Sequence, residues 1–186
     1  WLCRQTLAGE SHLCTLSLLI LRSRTAHLFQ VGDSRIWRLR NERLECLTRD
    51  HSRIIGDNRQ VLTRVMGGDT RLDVDYSSSD LQVGDVFLLT SDGVHGFLSR
   101  SRMQGIVRAS GQPEVAARSL VEAALASGSD DNLSCQVLQV DGLPDASADE
   151  ALRQRGSLPL PPPLSPGIRV DGFTVKRELY ASVRSH

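Results

Sequence analysis

The sequence predicts an α+β fold on three observations. Arg35-Ile36-Trp37-Arg38-Leu39-Arg40 alternates charged and apolar residues, the period of a half-buried strand. Val86-Phe87-Leu88-Leu89-Thr90-Ser91 is a short apolar run suited to the interior of a sheet, and it stops abruptly at Asp92-Gly93. Two helical stretches follow, residues 98–109 and 113–127, and then a strand-like alternation over residues 133–140.

Taken in order, residues 1–11 read as the end of a helix leading into a loop. Residues 13–21 and 26–31 read as two strands joined by the turn Arg22-Ser23-Arg24-Thr25, together a hairpin. Gly32-Asp33-Ser34 interrupts before the alternating strand, Asn41-Glu42-Arg43 turns the chain, and residues 44–48 return as a short partner. The Arg35, Arg38, Arg40 and Arg43 cluster is expected on the solvated face of that ribbon. Residues 49–66 are polar with isolated apolar positions and predict a loop with a short helical segment rather than sheet. Leu72-Asp73-Val74-Asp75-Tyr76 alternates as a strand would, and residues 81–85 turn into the buried run. In the second helix Pro113 suits a first turn, Val115, Ala116, Leu120, Val121, Ala124 and Leu125 share one broad face, and Gly128 is a stop signal.

Totals bound the function. The 22 basic residues, all Arg except Lys176, balance 22 acidic ones, so no overall field recruits nucleic acid or an anionic membrane. Cys3, Cys14, Cys46 and Cys135 show no C-x-x-C spacing, and reduced, buried thiols in a cytoplasmic protein are expected. The longest apolar run, residues 13–21, is about half of the roughly 20 residues a membrane-spanning helix needs. The start lacks a signal-peptide pattern and is not Met, so the chain is expected to begin inside a longer protein. After Asp141 the composition changes, and residues 142–166, with five prolines between 158 and 166, read as a linker. Residues 167–186 resume ordinary composition, which predicts continuation beyond the C-terminus.

Three acidic positions stand where a probable strand meets a turn. Asp92 ends the buried run, with Gly93 leaving the backbone free to bend and no side chain beside whatever Asp92 binds. Asp33 lies in Val31-Gly32-Asp33-Ser34-Arg35, and Asp131 in Ser129-Asp130-Asp131-Asn132. Oxygen-only donors at loop ends suit hard cations such as Mg²⁺ or Mn²⁺, and the His and Cys spacing of zinc sites is absent. Each triplet alone is equally an Asx-type turn. Their order and spacing carry the inference.

In that order the sequence resembles the metal-dependent protein Ser/Thr phosphatases, the PPM or type two C family. The landmarks are Val-Gly-Asp-Ser-Arg at 31–35, Leu-Thr-Arg-Asp-His-Ser at 47–52, Val-Leu-Thr-Arg-Val-Met-Gly at 61–67, Gly-Asp-Val-Phe-Leu-Leu-Thr-Ser-Asp-Gly at 84–93 and Gly-Ser-Asp-Asp-Asn-Leu-Ser at 128–134. The resemblance covers roughly residues 10 to 141 and corresponds to the later part of the family's catalytic domain. The resemblance implies an α-β-β-α sandwich of two antiparallel sheets flanked by helices, incomplete here at the N-terminus, with residues 1–141 as its later part. It also implies two Mn²⁺ or Mg²⁺ ions that activate water for attack on a phosphorylated protein. Asp92 and Asp131 would be ligands and Asp33 would help with a weak third ion. Ser91, Gly93 and Asn132 would shape the surrounding shell. His51 is expected to make structural hydrogen bonds in its loop, and His95 to stand behind the site without ligating.

Two departures bear on activity. The family often has a second Asp four residues after the Ser-Asp-Gly aspartate, where this chain has Gly96. No Asp-Gly-x-Gly-Gly segment, whose aspartate bridges the metals, and no phosphate-holding Arg segment precede the landmarks. The chain alone is therefore expected to bind metal poorly and not to turn over. A second resemblance lies in residues 167–179, similar to the run-in of a protein kinase domain in bacterial phosphatase–Ser/Thr kinase fusions. Its active residues would lie beyond His186. The competing expectation is a noncatalytic pseudophosphatase module that regulates such a linked kinase.

Overall fold

The computed structural model describes residues 13–56, 59–68, 72–145, 166–167, 169–170, 173–174 and 176–177, in two compact units divided between Asp145 and Ala146. In the first unit β1 (Leu16–Arg22) and β2 (Thr25–Val31) form the expected hairpin. β3 (Arg35–Arg40) turns into β4 (Arg43–Cys46) through Asn41 and Glu42, at φ of 47° and 61°, a two-residue turn whose twist matches antiparallel strands. β5 (Ser52–Ile55) and β6 (Arg59–Leu62) make a separate ribbon. Then come β7 (Asp75–Asp80), β8 (Val86–Thr90), the one-turn helix α1 (Asp92–His95), α2 (Arg100–Ser110), α3 (Pro113–Ala126) and β9 (Cys135–Gln139).

The strands form two antiparallel sheets, β1-β2-β7 and β4-β3-β8-β9. Because side chains alternate across a strand, β3 and β8 each serve two cores. Ile36 and Phe87 point toward the three-stranded sheet and pack with Ala26, Leu28, Leu81 and Val140. Trp37, Leu39 and Leu88 point the other way, against Val94, Met103, Val107, Ala116, Leu120 and Ala124 of the helices. The result is a helix layer, a four-stranded sheet and a three-stranded sheet. Strand β8 is apolar on both faces because it lies between two packed layers.

Helix α2 begins at Ser99, whose hydroxyl accepts from the Arg102 amide at 3.3 Å, and ends at Gly111 with a left-handed φ of 67°. Helix α3 carries Pro113 in its first turn, but its buried face is narrower than expected: Ala116, Leu120 and Ala124 are buried while Val115 and Leu125 face solvent. In the second unit β10 (Arg169–Val170) pairs antiparallel with β11 (Phe173–Thr174).

Several expectations are corrected. Residues 49–66 hold the β5–β6 ribbon and no described helix; Ile54, Ile55 and Leu62 are exposed, so no period marks a buried face. Strand β7 runs through Tyr76-Ser77-Ser78-Ser79-Asp80 rather than 72–76, held by its ladder to β2 and not by apolar alternation. Arg35, Arg38 and Arg40 do not form a solvated face: they pair with Asp50, Glu45 and Asp85, and Arg38 and Arg40 lie on the side of β3 that faces between the sheets. Cys14 is exposed, and Cys46 and Cys135 are half-buried free thiols. The readings of residues 1–11 and of the proline-rich linker between 146 and 165 lie outside the described residues.

Candidate metal centre

The sheet register gathers three loops at one end. Arg35 of β3 pairs with Thr90 of β8, and Thr90 pairs with Cys135 of β9. The chain therefore enters β3, leaves β8 and enters β9 on one row. Residues 32–34, 91–93 and 129–134 must emerge side by side, bringing Asp33, Asp92 and Asp131 to the same end of the sandwich.

Asp92 is the first residue of α1, where a carboxylate also complements the positive end of the turn. Its Oδ1 accepts the Gly93 amide at 3.0 Å. Asp131 is held in the same manner, its Oδ1 accepting the Asn132 amide at 2.6 Å. In each case one carboxylate oxygen is fixed locally, and the other has no hydrogen-bond partner among the described residues. Ser91 stitches the two loops together: its hydroxyl donates to the Asn132 carbonyl (2.8 Å) and accepts the Ser134 amide (3.0 Å), while its own amide donates to the Ser134 carbonyl (3.0 Å). Ser129 donates to the Gly93 carbonyl at 2.8 Å. Gly93 is required by this contact, since a Cβ there would lie 2.7 Å from the Asn132 carbonyl oxygen and 3.3 Å from Asp131 Cβ. Ser91, Gly93 and Asn132 thus shape the site, Asn132 through its backbone.

Asp33 follows Gly32, whose φ of 102° and contact with Thr15 leave no room for a side chain. Burial raises the Asp33 carboxyl above the usual carboxylate range, and the charges of Asp92 and then Asp50 add to that. Asp50, to which the sequence reading assigned nothing, therefore belongs to the same acidic end. Its place in the Leu-Thr-Arg-Asp-His-Ser landmark was the available signal. Arg35 binds it bidentately, at 2.9 and 2.8 Å, and packs its guanidinium 5.6 Å from the Trp37 ring.

His95 stands behind the site. Thr90 Oγ1 accepts Trp37 Nε1–H at 3.0 Å and shares a hydrogen bond of 2.9 Å with His95 Nδ1. Burial, followed by the nearby Arg35 charge, lowers the imidazole pKa to about 4, and the ring is neutral at neutral pH. A Cβ at Gly96 would meet the Asp92 carbonyl at 2.8 Å. The helical turn here is closed too tightly for the aspartate often found at that position.

Among the described residues no three Asp, Glu, His or Cys side chains already converge as a closed metal cage. The donor chemistry nevertheless fits a hard divalent cation: only carboxylates are gathered, two keep an oxygen free, and a third is held against like charge that a cation would relieve. These residues fit as part of such a centre.

No family model matches the chain. Among curated proteins it is similar to protein phosphatase PhpP of Streptococcus pneumoniae, 29% identical over 108 residues, covering 50% of this chain and 44% of PhpP. It is also similar to the serine/threonine phosphatase Stp of Listeria monocytogenes, 26% identical over 142 residues, covering 68% of this chain and 56% of Stp. The chain thus spans about half the length of the curated relatives it matches. Among solved structures it resembles PppA, described as a key regulatory component of T6SS in Pseudomonas aeruginosa, with 33% identity, a TM-score of 0.67, and coverage of 72% of this chain and 61% of PppA. It shares the fold of the PstP catalytic domain, at 23% identity and a TM-score of 0.62, covering 74% of this chain and 66% of that one. By ordered motifs, by sequence and by fold, the body of this chain is similar to the bacterial Ser/Thr phosphatases of the type two C kind.

Proposed function

We propose that the protein carrying this chain hydrolyses phosphoserine or phosphothreonine in proteins at a centre of two Mn²⁺ or Mg²⁺ ions. The observation that carries the reading is the direct packing of the Asp92 turn on the Asp131 loop through Gly93. The PstP catalytic domain, which shares this fold, was solved in complex with two manganese ions. In this chain Asp92 and Asp131 would hold the metal, and Asp33 would contribute to a weaker position. When bound, the ions would polarise the phosphoryl oxygens and activate water.

The chain's own residues supply orientation. The amides of Gly93 and Asn132 each fix one oxygen of the neighbouring carboxylate, so the other has a defined direction without prior reorganisation. Ser91 keeps the two loops in register. Arg35 is committed to Asp50 and Trp37 and Arg64 to Asp75, so neither is free to hold phosphate.

The test is phosphate release from a phosphothreonine peptide by the natural protein expressed from its complete coding sequence. Release should need added Mn²⁺ or Mg²⁺, stop with chelator, and fall more than about a hundredfold in Asp92→Asn. Undiminished release by Asp92→Asn removes the assignment. A metal-bound protein that never releases phosphate points instead to a noncatalytic module acting on a linked kinase.

A further inference from the structure

We infer that His51, together with Gln30, is a positioning residue that fixes the loop carrying Asp33 at the metal-centre end of the sandwich. The inference rests on the reading of Asp33 as a metal-site carboxylate and adds what aims it.

The loop that carries Asp33 is bonded at Gly32 and Ser34 by two buried residues from two directions. From inside the three-stranded sheet Gln30, 3% exposed, donates through Nε2 to the Gly32 carbonyl at 3.1 Å and to the Ser34 carbonyl at 2.6 Å. Its Oε1 accepts the Ser17 hydroxyl at 2.6 Å, which fixes the orientation of the amide. From the other side His51, 5% exposed, exchanges two bonds with Gly32: the His51 amide donates to the Gly32 carbonyl at 2.9 Å, and the Gly32 amide donates to His51 Nδ1 at 3.2 Å.

The second bond decides where the imidazole proton sits. An Nδ1 that accepts carries no hydrogen, so the proton is on Nε2 and points at Asp75 Oδ2, 3.0 Å away. Asp75 is in turn held by Arg64, whose Nη1 lies 2.6 Å from Oδ1. The 3.4 Å approach of Arg64 to His51 Nε2 is then a meeting of two donors that share one carboxylate, not a further bond. The chain of contacts runs from β7 through His51 into the loop that carries Asp33.

A turn at Gly32 could be closed by backbone alone. What the clamp adds is rigidity: a loop bonded from two directions keeps Asp33 at the acidic end before a cation binds.

The experiment is a double-mutant cycle on Mn²⁺ affinity in the natural full-length protein, read by calorimetry. His51→Phe removes both ring bonds, while His51→Asn keeps an oxygen near the Nδ1 position and loses the reach to Asp75. The inference expects His51→Phe to weaken Mn²⁺ binding about tenfold and His51→Asn less, with the effect shrinking below about twofold in an Asp33→Asn background. Equal loss in both backgrounds overturns it, because His51 would then act through general stability. If Asp33→Asn itself leaves Mn²⁺ affinity unchanged, the clamp has no metal role even though the Asp92 reading survives. Should His51→Phe fail to fold, nitrogen-15 spectra of the wild-type imidazole decide: an unprotonated Nδ1 facing the Gly32 amide supports the inference, and a protonated Nδ1 overturns it.

Discussion

At the scale of single residues, the candidate site is held in a state that the metal-free protein would relax if it could. Asp33 has a carboxyl raised by burial and by Asp92 and Asp50. A raised folded pKa means stability that is complete at low pH and declines as pH rises through that value. Asp33→Asn should therefore raise the melting temperature of metal-free protein at pH 7, on the order of a degree or two, while lowering the increment gained from Mn²⁺. Thermal scans with and without metal check both signs, and a variant less stable than wild type without metal would contradict them. His95 works in the opposite sense: its folded pKa is lowered from 6.5 to about 4, so the protein keeps its full stability above 6.5 and loses it as pH falls toward 4. His95→Phe should flatten that slope in denaturant titrations repeated across the window. Gly32→Ala meets both a left-handed φ and the Thr15 side chain, and should cost about 2–4 kcal/mol in urea unfolding. Asp33 and Asp92 stand beside Gly at strand ends and Asp131 in a polar turn, so their place at one end of the sandwich carried a local signal. Asp50, Gln30 and the His51 tautomer carried none, since their meaning arises from hydrogen bonds between segments far apart in sequence.

At the scale of elements, legibility followed burial. β3 and β8 were readable because each packs on two layers, so their apolar positions are set by the cores. The β5–β6 ribbon has little to bury and therefore no period, and β7 owes its conformation to pairing with β2. Charge was misread for a related reason: Arg35 shares the Trp37 face of β3, whereas Arg38 and Arg40 alternate onto the side that faces the other sheet. The consequence is a buried pair at the end of the sandwich away from the acidic loops, where Arg40 Nε and Nη2 meet the fully buried Asp85 at 2.6 and 2.7 Å. Burial pushes the Asp85 carboxyl up, but the Arg40 bond, the Gln82 amide and the Arg40 and Arg38 charges together hold it below the usual range. Removing one partner strands a buried charge, so Asp85→Ala should cost about 3–5 kcal/mol in urea unfolding. A loss below about 1 kcal/mol would mean that the pair is solvated in solution.

At the scale of the molecule, two sheets and one described helix layer serve to place three short loops on a single edge. The register Arg35–Thr90–Cys135 does this without any long-range contact between the carboxylates themselves. On the proposed reading the carboxylates are placed by the fold before any ion arrives, and the direct check is to locate the ion. Crystals of the natural full-length protein grown with Mn²⁺ should give an anomalous peak at the manganese edge beside the free oxygens of Asp92 and Asp131, and Asp92→Asn crystals should lose it. A manganese peak elsewhere on the protein, or none in wild-type crystals at saturating Mn²⁺, would contradict the account.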